Sequence, residues 1–197
     1  MSDSVTTTST ANLPRRKALK IIGDVTGPFG LLCFGAALWH YGASENIFSF
    51  AAWGVLDLLT GLAMLGTANG RKAAVLPIAY GIICAFVVRM IWRNGKWDWT
   101  IVETISLVGT LAGIICWRVF GSVWGVIAFG VALAIASVPI LLSTYQDPQT
   151  WEWWLWVGSG VSATCGLLLA MPLRLKNIEE WLFAGVSEVV TAIMLVL

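Results

Sequence analysis

Residues Ser137 to Gly160 read SVPILLSTYQDPQTWEWWLWVGSG, and this stretch decides the fold class. Pro139 stands near the end of an apolar run. A polar crossing follows over residues 143–150, and an aromatic run from Trp151 then re-enters apolar sequence. Two helices meeting at one membrane face, with a proline near the end of the first, is the simplest account. Proline lacks a backbone N–H and clashes with the preceding turn, so it kinks or ends a helix.

The rest of the chain repeats this alternation. Of its 197 residues, 58% are hydrophobic and only 12% are charged, against about a quarter charged in ordinary soluble domains. A helix needs about 20 apolar residues to cross a hydrocarbon core. Seven runs meet or approach that length: about Ile21–Tyr41, Ile47–Gly66, Ala73–Trp92, Trp99–Trp117, Val119–Ser143, Trp151–Met171 and Glu180–Leu197. The expected fold is therefore all-α, a polytopic membrane protein of seven transmembrane helices. Residues 1–18 are expected to form a disordered cytoplasmic tail, and 19–197 the membrane domain.

Charge sets the orientation. With the N-terminus inside, the inner flanks collect Arg15, Arg16, Lys17, Lys20, Arg71, Lys72, Arg118, Arg174 and Lys176, while the outer side holds Arg89, Arg93 and Lys96. Lysine and arginine prefer the cytoplasmic side, so the N-terminus is expected inside and the C-terminus outside, in a plasma or inner membrane. The string RRKALK resembles a twin-arginine export signal, but no small-residue cleavage site follows it, which favours an uncleaved first helix. A net charge of +1 leaves no basic face for nucleic acid. The lipid bilayer is the one partner the composition demands. Cys33, Cys84, Cys116 and Cys165 sit in separate runs, so neither a metal site nor a redox pair is expected, and no cofactor.

The two halves echo one another. Trp39-His40-Tyr41 leads into Ile47-Phe48-Ser49-Phe50-Ala51-Ala52-Trp53-Gly54, as Ser143-Thr144-Tyr145 leads into Trp151-Glu152-Trp153-Trp154-Leu155-Trp156-Val157-Gly158. Ala79-Tyr80-Gly81 aligns with Phe183-Ala184-Gly185. The pattern predicts a parallel 3+1+3 repeat: a first triplet over 19–92, a linker helix over 99–117 and a second triplet over 119–197. The run Pro139-Ile140-Leu141-Leu142-Ser143-Thr144-Tyr145, with its polar crossing and aromatic helix start, resembles the PQ-loop superfamily, which includes the SWEET sugar transporters and has PnuC-type vitamin transporters as structural relatives. In that family the proline is followed by glutamine, where this chain has Ile140. The first half lacks the motif proline at its matching place near Leu38. The resemblance implies a 3+1+3 bundle and substrate transport.

Four charged residues fall inside the expected spans: Asp57, Arg89, Glu103 and Glu188. A charge at mid-bilayer costs at least about 2.5–3.5 kcal/mol on insertion scales, so each should face the interior or find a partner. Arg89 and Glu103 sit at matching depth on sequential helices, and a structural ion pair is the first reading, with snorkelling of Arg89 to the surface as the alternative. Asp57 and Glu188 lie near mid-depth with no lysine or arginine within a turn. Small residues share their faces, Gly54 and Gly61 beside Asp57, Ala184 and Ala192 beside Glu188.

The expected function is that of a transporter or permease of PQ-loop type for a small polar solute. Asp57 and Glu188 would bind solute, cation or proton, and Pro139 would mark a hinge. No nucleophile–base constellation suggests an enzyme. The alternative is a receptor or a helix-packing partner of a complex. The spacing of Gly109/Gly113 and Gly121/Gly125 fits close helix contacts, within one chain or between copies in a homo-oligomer.

Overall fold

The computed structural model describes residues 12–42, 45–67, 70–139 and 153–170, together with the single positions 142, 145, 185 and 189. The described chain is all-helical: α1 (Asn12–Tyr41), α2 (Ile47–Met64), the one-turn α3 (Gly70–Ala73), α4 (Val75–Ile91), α5 (Ile101–Phe120), α6 (Ser122–Ala136) and α7 (Trp153–Ala170). Among the described residues, three helices are long and apolar enough to cross a membrane, over Pro14–Tyr41, Ile47–Met64 and Ile101–Phe120. Val75–Ile91 and Ser122–Ala136 are shorter apolar helices. Large apolar side chains point outward all along them, Phe29, Val55, Phe86, Val108 and Ile115 among them. Such a surface suits hydrocarbon, which makes no demand for polar cover.

Helix α2 is the centre of the bundle. It packs against α4 on one side and α6 on the other, and touches α5. Helix α4 also packs on α1, which pairs with α7. One apolar core, around Leu31, Phe34, Phe50, Val87 and Leu155, joins α1, α2, α4 and α7. A second, around Leu56, Met64, Val126 and Phe129, joins α2 to α6. Trp53 packs against both cores.

Small residues set the closest crossings. The hydrogen at the Cα of Gly158 faces backbone: a Cβ there would lie 2.7 Å from the Thr26 carbonyl oxygen and 2.9 Å from Gly30 Cα. The space facing Gly109 and Gly113 is filled by Ala132 and Phe129 of α6, and that facing Gly125 by Trp117, so these glycines serve contacts within one chain. The prediction is direct. Gly158→Ala cannot be relieved by a side-chain rotation and should cost about 1–3 kcal/mol, read as a fall in melting temperature in detergent.

Several boundaries differ from the sequence expectation. Helix α1 starts at Asn12, so part of the segment expected to be disordered is helical. Pro14 falls in the first turn, where its missing N–H is not needed, and Lys20 pairs with Asp24 at 3.0 Å one turn on. The expected third helix is preceded by α3, and Pro77 lies in the first turn of α4. The fourth helix runs on to Phe120 and stops at Gly121, whose φ of 94° only glycine adopts readily. Within the expected fifth helix, α6 ends at Ala136, where the Ser137 N–H bonds to the Leu133 and Ala134 carbonyls, and the described positions 138, 139 and 142 beyond it are helical. Of the expected seventh helix only positions 185 and 189 are described, both helical, so the helix count and the third member of the second triplet lie outside the described residues.

Candidate functional site at mid-height of the bundle

Asp57 lies ten residues past the start of α2, about 15 Å along its axis, and is 6% exposed. The approach of α4 explains how it comes to be covered. Gly54, one turn earlier, lets the Cys84 side chain and the Gly81 carbonyl come close: a Cβ on Gly54 would lie 3.0 and 3.4 Å from them. Tyr80 and Cys84 of α4 come close enough to feel the charge of Asp57. Among the described residues no donor hydrogen-bonds its carboxyl and no cation acts on it. The neighbouring Thr60 hydroxyl donates to the Leu56 carbonyl at 2.7 Å. A buried carboxyl in this state can take up a proton or a cation.

Tyr80 extends the polar region toward α1 and α7. Its hydroxyl lies within hydrogen-bonding reach of the Ser159 and Ser162 side chains, and it packs where a Cβ on Gly27 would fall. Ser162 in turn donates to the Gly23 carbonyl at 2.6 Å. This bond ties α7 to α1 one turn before Pro28. Asp57, Tyr80, Ser159 and Ser162 thus form a polar cluster drawn from α2, α4 and α7, closed off by the glycine face of α1.

The second buried acid has a different role. Glu103, 5% exposed, accepts from Asn46 Nδ2 at 3.0 Å, Ser49 Oγ at 3.1 Å and the Thr100 N–H at 2.8 Å, and also from the Thr100 hydroxyl. Thr100 and Glu103 form a capping box at the start of α5, a pattern that satisfies the free N–H groups of a first turn. Asn46 caps α2 through Oδ1 and also donates to the Asp98 carbonyl at 3.0 Å. A parallel bridge between Asn46 and Lys96 ties the two loops together, with Ile47 N–H on the Lys96 carbonyl at 3.0 Å and Lys96 N–H on Glu45 at 2.8 Å. Phe48 packs edge-on to Trp97 and Trp99 over this clasp.

The expected Arg89–Glu103 ion pair is therefore corrected. No such pair occurs among the described residues; Glu103 is occupied by neutral donors, and Arg89 is exposed in the last turn of α4. A cation at a helix C-terminus is favoured by the helix dipole. Pro139 is half-buried and helical, just past the break at Ser137. Glu188 lies outside the described residues, so its relation to Asp57 is not described. Among the described residues no group of three or more His, Cys, Asp or Glu could hold a metal, and the four cysteines are free.

Among the described residues, Trp53 Nε1 and Ser106 Oγ are buried without a partner. Such a group costs about 1–3 kcal/mol when nothing satisfies it. Neither they nor Tyr80, Ser159 and Ser162 emerge from sequence reading as site residues. Their spacing carries no motif, and only the packing of distant helices brings them in. Comparison with protein-family models, with curated proteins and with solved structures finds no match for the chain.

Proposed function

We propose that the chain is an integral membrane transporter or permease for a small polar solute, coupled to a proton or another cation, with Asp57 in its binding site. The observation that carries this reading is the Asp57 carboxyl itself: buried at mid-height of the central helix, with no donor and no cation among the described residues. Selection for stability alone disfavours a carboxyl in such a place. Intramembrane acids of this kind mark solute or ion pathways by default.

The build that goes with this reading is a 3+1+3 repeat, and two observations support it. Tyr41 and Tyr145, Gly54 and Gly158, and Gly81 and Gly185 are each 104 residues apart. A twofold axis exchanging the triplets would carry α1 onto α6 and α2 onto α7. It would then exchange the α1–α7 contact with the α2–α6 contact, and both contacts are present. The same spacing carries Cys84 to Glu188, which keeps Glu188 as the second site residue. In this reading the two triplets rock about the site, and the break at Ser137–Pro139 serves as a hinge. The clasp lies on the outer face and the N-terminus inside a plasma or inner membrane.

The test is reconstitution into proteoliposomes with an imposed pH gradient, followed by uptake of labelled sugars, amines, amino acids and carboxylates. At least one polar solute should accumulate above empty vesicles, and Glu188→Gln should slow it. A protein that moves none of them, and whose melt no solute shifts, is instead a receptor or helix-packing partner. The long exposed face of α5 would suit that role.

A further inference from the structure

Resting on the reading of Asp57 as the solute site, we propose that the seam where α2 and α5 touch, one turn past Glu103, opens to form a subsite for a small organic monocation. The ligand is a protonated amine that also carries a hydroxyl, held by the Trp53 N–H and the Ser106 O–H on its way to Asp57.

Helices α2 and α5 run in the same direction. Their first turns meet where Ser49 donates to Glu103, and the far end of α2 meets the start of α6, where a Cβ on Gly66 would strike the Ser122 side chain. One turn past that hydrogen bond, α2 places Trp53 and α5 places Ser106, roughly 6 and 4.5 Å further along. Both carry a buried polar atom with no partner, at the same level on two touching helices. One is a fixed donor, the other a hydroxyl that donates and accepts. In the proposal, a ligand hydroxyl lodged between the two helices is the partner that each atom lacks.

Charge selects the rest of the ligand. The carboxyl nearest along α5 is Glu103, and the next along α2 is Asp57, one turn beyond Trp53. Among the described residues no lysine or arginine acts on Asp57, and Arg89 is exposed. An anion entering here would meet only acids, whereas an ammonium group would meet a carboxyl on either side. The Trp53 ring adds an aromatic face, which attracts organic cations.

Thiol labelling tests this on full-length protein with Cys33, Cys84, Cys116 and Cys165 replaced by alanine. In Ser106→Cys, a methanethiosulfonate reagent transfers its thioalkyl group to the thiolate; an S–S bond forms and methanesulfinate leaves. Each rate is normalised to that reagent's rate on a small free thiol. The 2-aminoethyl (cationic) reagent should then react at least tenfold faster than the 2-sulfonatoethyl (anionic) one. Adding Asp57→Asn should shrink that ratio, and ethanolamine should slow the labelling. Equal normalised rates, or no reaction with either reagent, overturn the subsite.

A second measurement stands if Ser106→Cys fails to fold. Millimolar ethanolamine should raise the melting temperature of the wild type, glycerol and acetate should not, and Trp53→Phe should lose at least half of the rise. No shift with ethanolamine overturns the proposal. Charge-selective labelling without uptake of any solute keeps the subsite and discards transport. Uptake lost in Asp57→Asn, with an unreactive Ser106→Cys, keeps the Asp57 reading and discards the subsite.

Discussion

Glu103→Ala is expected to lower the free energy of unfolding by about 3 kcal/mol, because four donors lose their acceptor at once and each buried one costs about 1–3 kcal/mol. Those donors are Asn46 Nδ2, Ser49 Oγ, the Thr100 N–H and the Thr100 hydroxyl, the last of which can rotate to another partner. Asn46 is only partly buried and Thr100 is exposed, so water would satisfy them in part, which holds the total near the lower end of the sum. The melting temperature should fall by roughly 6–12 °C, at 2–4 °C per kcal/mol for a chain of this size. Glu103→Gln keeps one acceptor oxygen but turns an NH2 group toward a donor, and should lose about half as much. Arg89→Ala is the discriminating control. Arg89 is exposed, so its removal should change the melt little. A loss equal to that of Glu103→Ala would restore the ion pair that the depth arithmetic suggested.

Asp57→Asn should have the opposite sign. The amide has the carboxyl's shape, and no hydrogen bond or cation among the described residues holds that carboxyl in place. Replacing it removes the penalty for burying a group that can carry charge. The melting temperature should stay level or rise, by the equivalent of about 1 kcal/mol, in line with the stability that functional sites forgo. A fall of several degrees would mean that Asp57 serves as a structural bond. The same substitution should nonetheless remove function, so stability and activity should separate at this residue. At Glu103 they should fall together.

The helical membrane class was legible because apolar run length and charge placement are local properties. Asp57 was legible for the same reason, as the acid in the middle of the second apolar run. Glu103 was misassigned because depth was known and rotation about the helix axis was not: Arg89 stands at the right level but is exposed. A local signal for its true role was present in Thr100-x-x-Glu103, the capping-box spacing. The start of α1 was missed because serine-rich sequence before it masked a helix that Pro14 and the basic residues after it can initiate. The stop at Gly121 was missed because a lone glycine among many says nothing about φ. Tyr80, Ser162, Trp53 and Ser106 were out of reach. Each gains its meaning from a helix distant in sequence, and in isolation each reads as an ordinary residue of an apolar run.

The most direct test of Asp57 as the working charge is the initial rate of solute uptake by Asp57→Asn in proteoliposomes matched for protein content. This account predicts a rate at least tenfold below wild type, from a protein that melts no lower. A variant that moves the solute at the wild-type rate would contradict it.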